Sequence, residues 1–182
     1  FESPDIKALP TWVGELYYQA HRGTYTSQAR TKKGNRLCEL GLRELEFWGV
    51  GAAALAGFRY PLAETDRLWK DVMLCQFHAV IPGSSIRRVY EEAEALYARV
   101  LNRSKALTAG ACARLVRKDR RAVTVFNPLS WTRDALVELP RGMAGVATEG
   151  GTPVPVQKIR GRTYARLTGI PSCGWTTLRA AK

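Results

Sequence analysis

The chain has 182 residues and a formal charge of +12, from 28 Lys+Arg against 16 Asp+Glu. Its 46% apolar and 24% charged content is that of a folded globular chain and excludes a disordered one. No stretch approaches the ~20 uncharged apolar residues that a membrane span needs, which excludes a bilayer protein of the helical kind. The length suits one or two domains of about 100 residues each.

Charge is unevenly spread. Residues 1–104 hold 14 basic and 12 acidic side chains, whereas residues 105–182 hold 14 basic and 4 acidic. The composition changes at the same place, from Ala, Leu, Glu and Arg in helical spacing to Val, Thr, Pro and Gly in short runs. A boundary falls between Asn102 and Thr108. We divide the chain into an entry segment (1–24), a helical part (25–107) and a strand-rich part (108–182). Phe1 to Pro10, with Glu2, Pro4 and Asp5, resembles neither a signal nor a transit peptide.

From Ala29 to about Gly57 the residues Leu37, Gly41, Leu45, Trp48, Ala52 and Leu55 recur at three and four positions, predicting a helix with one apolar face. Gly57 and Pro61 mark its stop. A second helix is expected from about Leu62 to His78, with Leu68, Val72 and Cys75 on its buried side. Pro82-Gly83 forces a turn. A third helix follows from about Ser84, with Ile86, Val89, Tyr90, Ala93, Leu96, Tyr97, Val100 and Leu101 at helical spacing. Three helices with short connections predict an antiparallel bundle around one core.

Beyond it, Ala122–Asn127, Ala135–Leu139, Val154–Ile159, Thr163–Leu167 and Trp175–Leu178 read as short strands bounded by Gly and Pro. Asn127-Pro128-Leu129-Ser130 and Pro140-Arg141-Gly142 are turn signals. Four or five strands suggest an antiparallel sheet or the start of a sandwich, with an edge left unpaired. The expected class is therefore an α+β fragment, a three-helix bundle followed by the first strands of a β-sandwich. Cys38, Cys75, Cys112 and Cys173 form no C-x-x-C pair, so they read as buried free thiols, not as a zinc ribbon or disulfide framework.

Only two histidines occur, His21 and His78. His78 stands at the end of the second helix, before the Pro82-Gly83 turn. A neutral imidazole held at a helix terminus can be a metal ligand with a fixed direction. It can equally cap carbonyls at a helix C-terminus, and one ligand does not make a metal site.

The segment Gln76-Phe77-His78-x-x-x-Pro82-Gly83-Ser84-Ser85-Ile86 resembles the Q-F-H-D-x-x-P-G-S-S-I segment of glycoside hydrolase family 38, the retaining α-mannosidases. Trp12-Val13-Gly14-Glu15-Leu16-Tyr17 and His21-Arg22-Gly23-Thr24-Tyr25-Thr26-Ser27-Gln28 resemble the upstream block of that family. Val125-Phe126-Asn127-Pro128-Leu129-Ser130-Trp131 and Ile170-Pro171-Ser172-Cys173-Gly174-Trp175 resemble the opening of its C-terminal β domain. Four blocks in the same order span nearly the whole chain, and the nearest group is the cytosolic or bacterial type.

The resemblance implies an internal portion of a larger zinc-dependent enzyme that hydrolyses terminal α-mannosides with retention, working in the cytoplasm. His78 matches the zinc-ligand histidine that the helical domain supplies across the active-site seam. The remaining ligands and the nucleophile belong to an N-terminal catalytic domain, and further β domains follow; both are expected partners, with an α-mannoside oligosaccharide as substrate. Retaining glycosidases use two carboxyl groups about 5–5.5 Å apart. The family carries Asp directly after the zinc histidine where this chain has Ala79. Losing an acceptor for a buried hydroxyl costs about 1–3 kcal/mol, which implies an altered substrate preference or weak activity.

Three further residues are candidates. Glu15 is read as an acid/base or supporting carboxylate, or alternatively as a surface charge. Arg22 and Tyr25 are read as substrate contacts, with bracing of the domain seam the alternative for the block His21-Arg22-Gly23. Trp12, Trp48 and Trp69 are expected to pack at domain interfaces. The basic run from Arg114 to Arg121 opens a second function class, a nucleic-acid-binding module working through phosphate contacts. No helix-turn-helix, RNA-recognition or zinc-finger pattern accompanies it and no aromatics interleave it for base stacking, so a solvated connector is the preferred reading. The third class is a structural spacer in which His78 is incidental.

Overall fold

The computed structural model describes residues 10–14 and 19–181, with no side-chain account of residues 19 and 20. A short 3-10 segment, Gln19–Tyr25, leads into three helices: α1 (Ala29–Ala56), α2 (Leu62–Cys75) and α3 (Arg87–Leu115). Seven strands follow: β1 (Ala122–Asn127), β2 (Arg133–Glu138), β3 (Val146–Thr148), β4 (Pro153–Val154), β5 (Val156–Ile159), β6 (Arg162–Ile170) and β7 (Gly174–Ala180). The expected α+β class, helices first and antiparallel strands after, is what the chain adopts.

The bundle core is Cys38, Leu42 and Leu45 from α1, Leu68, Val72 and Cys75 from α2, and Ala93, Tyr97 and Val100 from α3. On α2 the expected face, Leu68, Val72 and Cys75, is the buried one. On α1 the buried stripe is turned from the expected one: Leu37 and Leu55 are exposed, and Thr31, Cys38, Leu42 and Gly49 take their place beside Leu45, Trp48 and Ala52. Close approach explains the rotation. A Cβ on Gly34 would lie 2.5 Å from the Tyr97 ring, and one on Gly41 would lie 3.1 Å from Ser104 Oγ. Small residues therefore face α3, and the larger leucines at neighbouring positions turn to solvent. Ile86, expected to open the apolar face of α3, is also exposed, because it precedes the first helical residue.

α3 continues to Leu115, eight residues past position 107, because Ala111 and Leu115 find a second apolar partner in the sheet. Trp48, Ala52 and Ala111 form a cluster with Phe47, Phe58, Cys112, Leu115, Phe126 and Trp175. The Trp48 ring meets Phe126 edge-on at 5.0 Å and Trp175 at 6.3 Å. Aromatic pairs in this geometry add to the area they bury. Arg43 donates to the Pro128 carbonyl at 3.3 Å from both guanidinium NH2 nitrogens, closing the same seam from the polar side.

The strands make two antiparallel sheets, one in the order β1-β7-β3-β4 and one in the order β2-β6-β5. They share one core of Leu139, Met143, Val146, Ala165, Leu167, Ile170 and Leu178. The sequence reading differs from this in two places. β3, three residues between glycine-rich turns, is too short for a period of two to register. Val154–Ile159, expected as one strand, is two: β4 pairs with β3, β5 pairs with β6, and Pro155 between them is the corner where the chain changes sheets. Proline has no N–H to give a ladder, so it is tolerated at such a break.

Candidate functional site

The site begins at the C-terminus of α2. That helix ends at Cys75, three residues before His78, so His78 is not on a helix as expected but in a run of tight turns. The turn backbone is self-bonded: Val80 N and Ile81 N donate to the Phe77 carbonyl at 2.8 and 3.1 Å, and Gly83 N to the Val80 carbonyl at 3.1 Å. Val80 packs on the bundle core, and His78 is exposed with its ring 4.2 Å from that of Phe77, a residue 56% exposed. The imidazole therefore faces outward from an anchored turn.

The anchors come from α1 and α3. Gln76 Nε2 donates to Asn35 Oδ1 at 2.9 Å and to Glu39 Oε1 at 3.0 Å, and Asn35 Nδ2 donates to the same Glu39 oxygen at 2.9 Å. Lys32 Nζ donates to the Ile81 carbonyl at 3.0 Å and also to the Ser27 carbonyl. Partial burial holds the Lys32 ammonium below the ordinary lysine pKa. Ser85 Oγ donates to the Ala79 carbonyl, and Ser85 N to the Tyr90 hydroxyl. Lys32, Asn35 and Glu39 did not stand out in the sequence, and Tyr90 was read there only as part of the apolar face of α3.

Gly83 joins this turn to the upstream block. Its φ is +91°, and a Cβ there would lie 2.7 Å from Ser27 Cβ and 3.1 Å from the Ser27 carbonyl oxygen. Ser27 follows the 3-10 segment that carries His21, Arg22 and Tyr25, and its own Oγ donates to the Gly23 carbonyl at 2.9 Å. Two of the recognised blocks thus meet at one end of the bundle. Arg22 and Tyr25 are exposed on that segment. Glu15 lies outside the described residues.

Among the described residues no three His, Cys, Asp or Glu side chains gather closely enough to hold a metal ion. Among the described residues no helix is long and apolar enough to cross a membrane.

A family profile described as the α-mannosidase middle domain matches residues 19–115, which takes in the 3-10 segment and all three helices. The chain belongs to the α-mannosidase middle-domain family. Human α-mannosidase 2C1 is 37% identical over 161 residues, covering 83% of this chain and 16% of the human protein. A Saccharomyces cerevisiae α-mannosidase is 37% identical over 147 residues, covering 79% of this chain and 14% of its own length. The chain thus spans about a sixth of these relatives. Among solved structures, an α-mannosidase from Enterococcus faecalis V583 superposes with a TM-score of 0.66 at 16% identity, over 88% of this chain and 24% of that one. A glycosyl hydrolase family 38 protein from Enterococcus faecalis gives 0.67 at 16% identity, over 97% of this chain and 27% of that one. At that identity the likeness is one of fold, and it extends past the helices into the strands.

The cysteines and tryptophans complete the comparison with the sequence. All four cysteines are free, and Cys38 and Cys75 are buried, but Cys112 is half-buried and Cys173 is exposed. Cys173 sits at φ +49° in the turn before β7, where its N–H donates to the Leu129 carbonyl and its side chain turns outward. Trp48 is a seam residue as expected, Trp69 is half-buried with Nε1 donating to Glu46 at 2.8 Å, and Trp12 is 68% exposed. Arg117, Lys118, Arg120 and Arg121 lie exposed on the connector between α3 and β1.

Proposed function

We propose that this chain is the middle lobe of a retaining α-mannosidase and supplies His78 as one ligand of a zinc ion shared with a catalytic lobe elsewhere in the longer protein. One observation carries the reading: in a member of the α-mannosidase middle-domain family, the single imidazole of the matching block points away from the core on a turn pinned by Lys32, Gln76 and Ser85. A buried or backbone-bound ring would be a cap. An outward ring on a rigid support is a donor with a direction.

The donor set fits a shared metal and not a self-contained one, because no cluster of three accompanies His78 among the described residues. When bound, zinc supplies Lewis-acid and template chemistry toward sugar hydroxyls. The chain's own part is to hold a lone pair at a set place. The Lys32 and Gln76 bonds fix the turn, and the wedge of Gly83 against Ser27 sets the turn against the segment bearing Arg22 and Tyr25. Those two side chains, and Glu15 upstream, are offered to the sugar. The nucleophilic carboxylate of the retaining reaction comes from the remaining lobes.

Ala79 follows His78 with no side-chain acceptor, and its carbonyl is already taken by Ser85. A hydroxyl arriving there finds no partner, so mannoside turnover is slower by about 10- to 100-fold than with a carboxylate at that position. The partners in this reading are an α-mannoside oligosaccharide and the other lobes of the same protein. Four unpaired cysteines support a reducing compartment, the cytoplasm.

The test is hydrolysis of 4-nitrophenyl α-mannoside by the full-length protein with zinc, following the anomer first released by proton NMR. Release of the α anomer, with a gain in kcat/KM on Ala79→Asp, is the expected result. Release of the β anomer, or no hydrolysis by either form, overturns the proposal.

A further inference from the structure

Beyond the His78 turn, the same face of α1 opens into a cleft of about 560 Å³ where the bundle meets the sheet, lined by Arg36, Glu39, Leu40, Arg43, Trp69, Leu129 and Trp131. We infer that this cleft is a subsite for the sugar units of an α-mannoside chain remote from the bond being cut. The inference rests on the reading of His78 given above and extends it along the surface.

The chemistry of the lining carries it. Two indoles, Trp69 and Trp131, stand with two leucines and with a carboxylate and two guanidinium groups. A pyranose has an apolar face of C–H bonds and a rim of hydroxyls, and a cleft of aromatic faces plus a few fixed polar groups matches both. Trp131 is 59% exposed, yet its backbone is fixed, because Asn127 Nδ2 donates to its carbonyl at 2.8 Å. Trp69 is oriented by its bond to Glu46, and Arg43 by its bonds to the Pro128 carbonyl. The polar groups are thus held before any ligand arrives.

Continuity with the His78 turn is direct. Glu39, in the cleft wall, is the residue whose Oε1 accepts from Gln76, two positions before His78. Arg36 pairs with Glu39 Oε2 at 3.1 Å. From Lys32, which holds Ile81, to Arg43, at the far end of the cleft, α1 rises about 16 Å. A short oligosaccharide with its terminal unit at His78 would lay its following units along this face.

The experiment compares Trp131→Ala with the unaltered full-length protein on two substrates, α-linked mannotriose and 4-nitrophenyl α-mannoside, with Trp131→Phe as the conservative variant. Expected is a rise of about tenfold in KM for mannotriose, partial recovery in the Phe variant, and kcat/KM for the nitrophenyl mannoside within about twofold. Equal kinetics on both substrates in all three proteins overturns the subsite. Equal loss on both with a lowered Tm also overturns it, and marks the cleft as a contact between lobes. Loss of the His78 reading would look different, since His78→Ala would then leave hydrolysis of both substrates intact. If turnover is too slow to measure, quenching of indole fluorescence by mannotriose, abolished in Trp131→Ala, is the supporting result, and quenching that survives the substitution is the opposing one.

Discussion

Gly83→Ala tests whether the turn bearing His78 is held against the upstream segment by steric fit. At Gly83 two penalties coincide: φ is +91°, and the new methyl would lie 2.7 Å from Ser27 Cβ and 3.1 Å from backbone atoms of Ser27. Gly142 separates them, since its φ is +92° with nothing within 4 Å of an added Cβ. Gly142→Ala therefore measures the backbone penalty alone, about 1–2 kcal/mol. Gly83→Ala adds the overpacking term, about 1–3 kcal/mol. For a chain of this size each kcal/mol moves Tm by about 2–4 °C, so Gly83→Ala melts about 2–12 °C below Gly142→Ala. Thermal unfolding by circular dichroism of both variants reads the difference. Equal Tm values would refute the wedge, and so the claim that the two blocks are fixed to each other there.

Two other predictions follow from side-chain bonds in the structure. Asn127, 1% exposed, donates from Nδ2 to Trp131 O, Ile170 O and Pro171 O and accepts from Leu129 N at Oδ1. Asn127→Ala strands these groups and lowers stability by about 2–4 kcal/mol, measured by urea unfolding; a loss under 1 kcal/mol contradicts it. Glu64 is held below the usual carboxylate range by its bond to Arg103, which ties α2 to α3. A carboxylate depressed in the folded state stabilises above its unfolded pKa and loses that contribution as pH falls toward its folded value. Acid unfolding curves should therefore show a shallower stability loss below the ordinary carboxylate range in Arg103→Ala than in the unaltered chain, and superimposable curves would oppose the assignment.

The three helices and most strands were legible because their signals are local. Leu62 after Pro61, Gly57 at φ +62° and the run Ala122–Asn127 mark element ends that the structure keeps. What was not legible depends on neighbours. The turned face of α1 follows from Tyr97 lying over Gly34, and the length of α3 from the sheet that receives Ala111 and Leu115. The split at Pro155 had a local signal in the proline itself, but which sheet each half joins is a pairing fact that the run does not carry. At the site, the resemblance located His78, but the groups that brace its turn lie far off in the sequence, as with Lys32 and Ile81, 49 positions apart. Ordinary-looking polar residues become supports only once the chain has folded.

The central claim is that the outward imidazole of His78 contributes to a metal. Zinc content by plasma mass spectrometry should be measured for the full-length protein and its His78→Ala form, after equal dialysis against a weak chelator. A clear drop in bound zinc in the substituted protein, with an unchanged circular dichroism spectrum, is what the account predicts. Identical zinc content in the two proteins would contradict it.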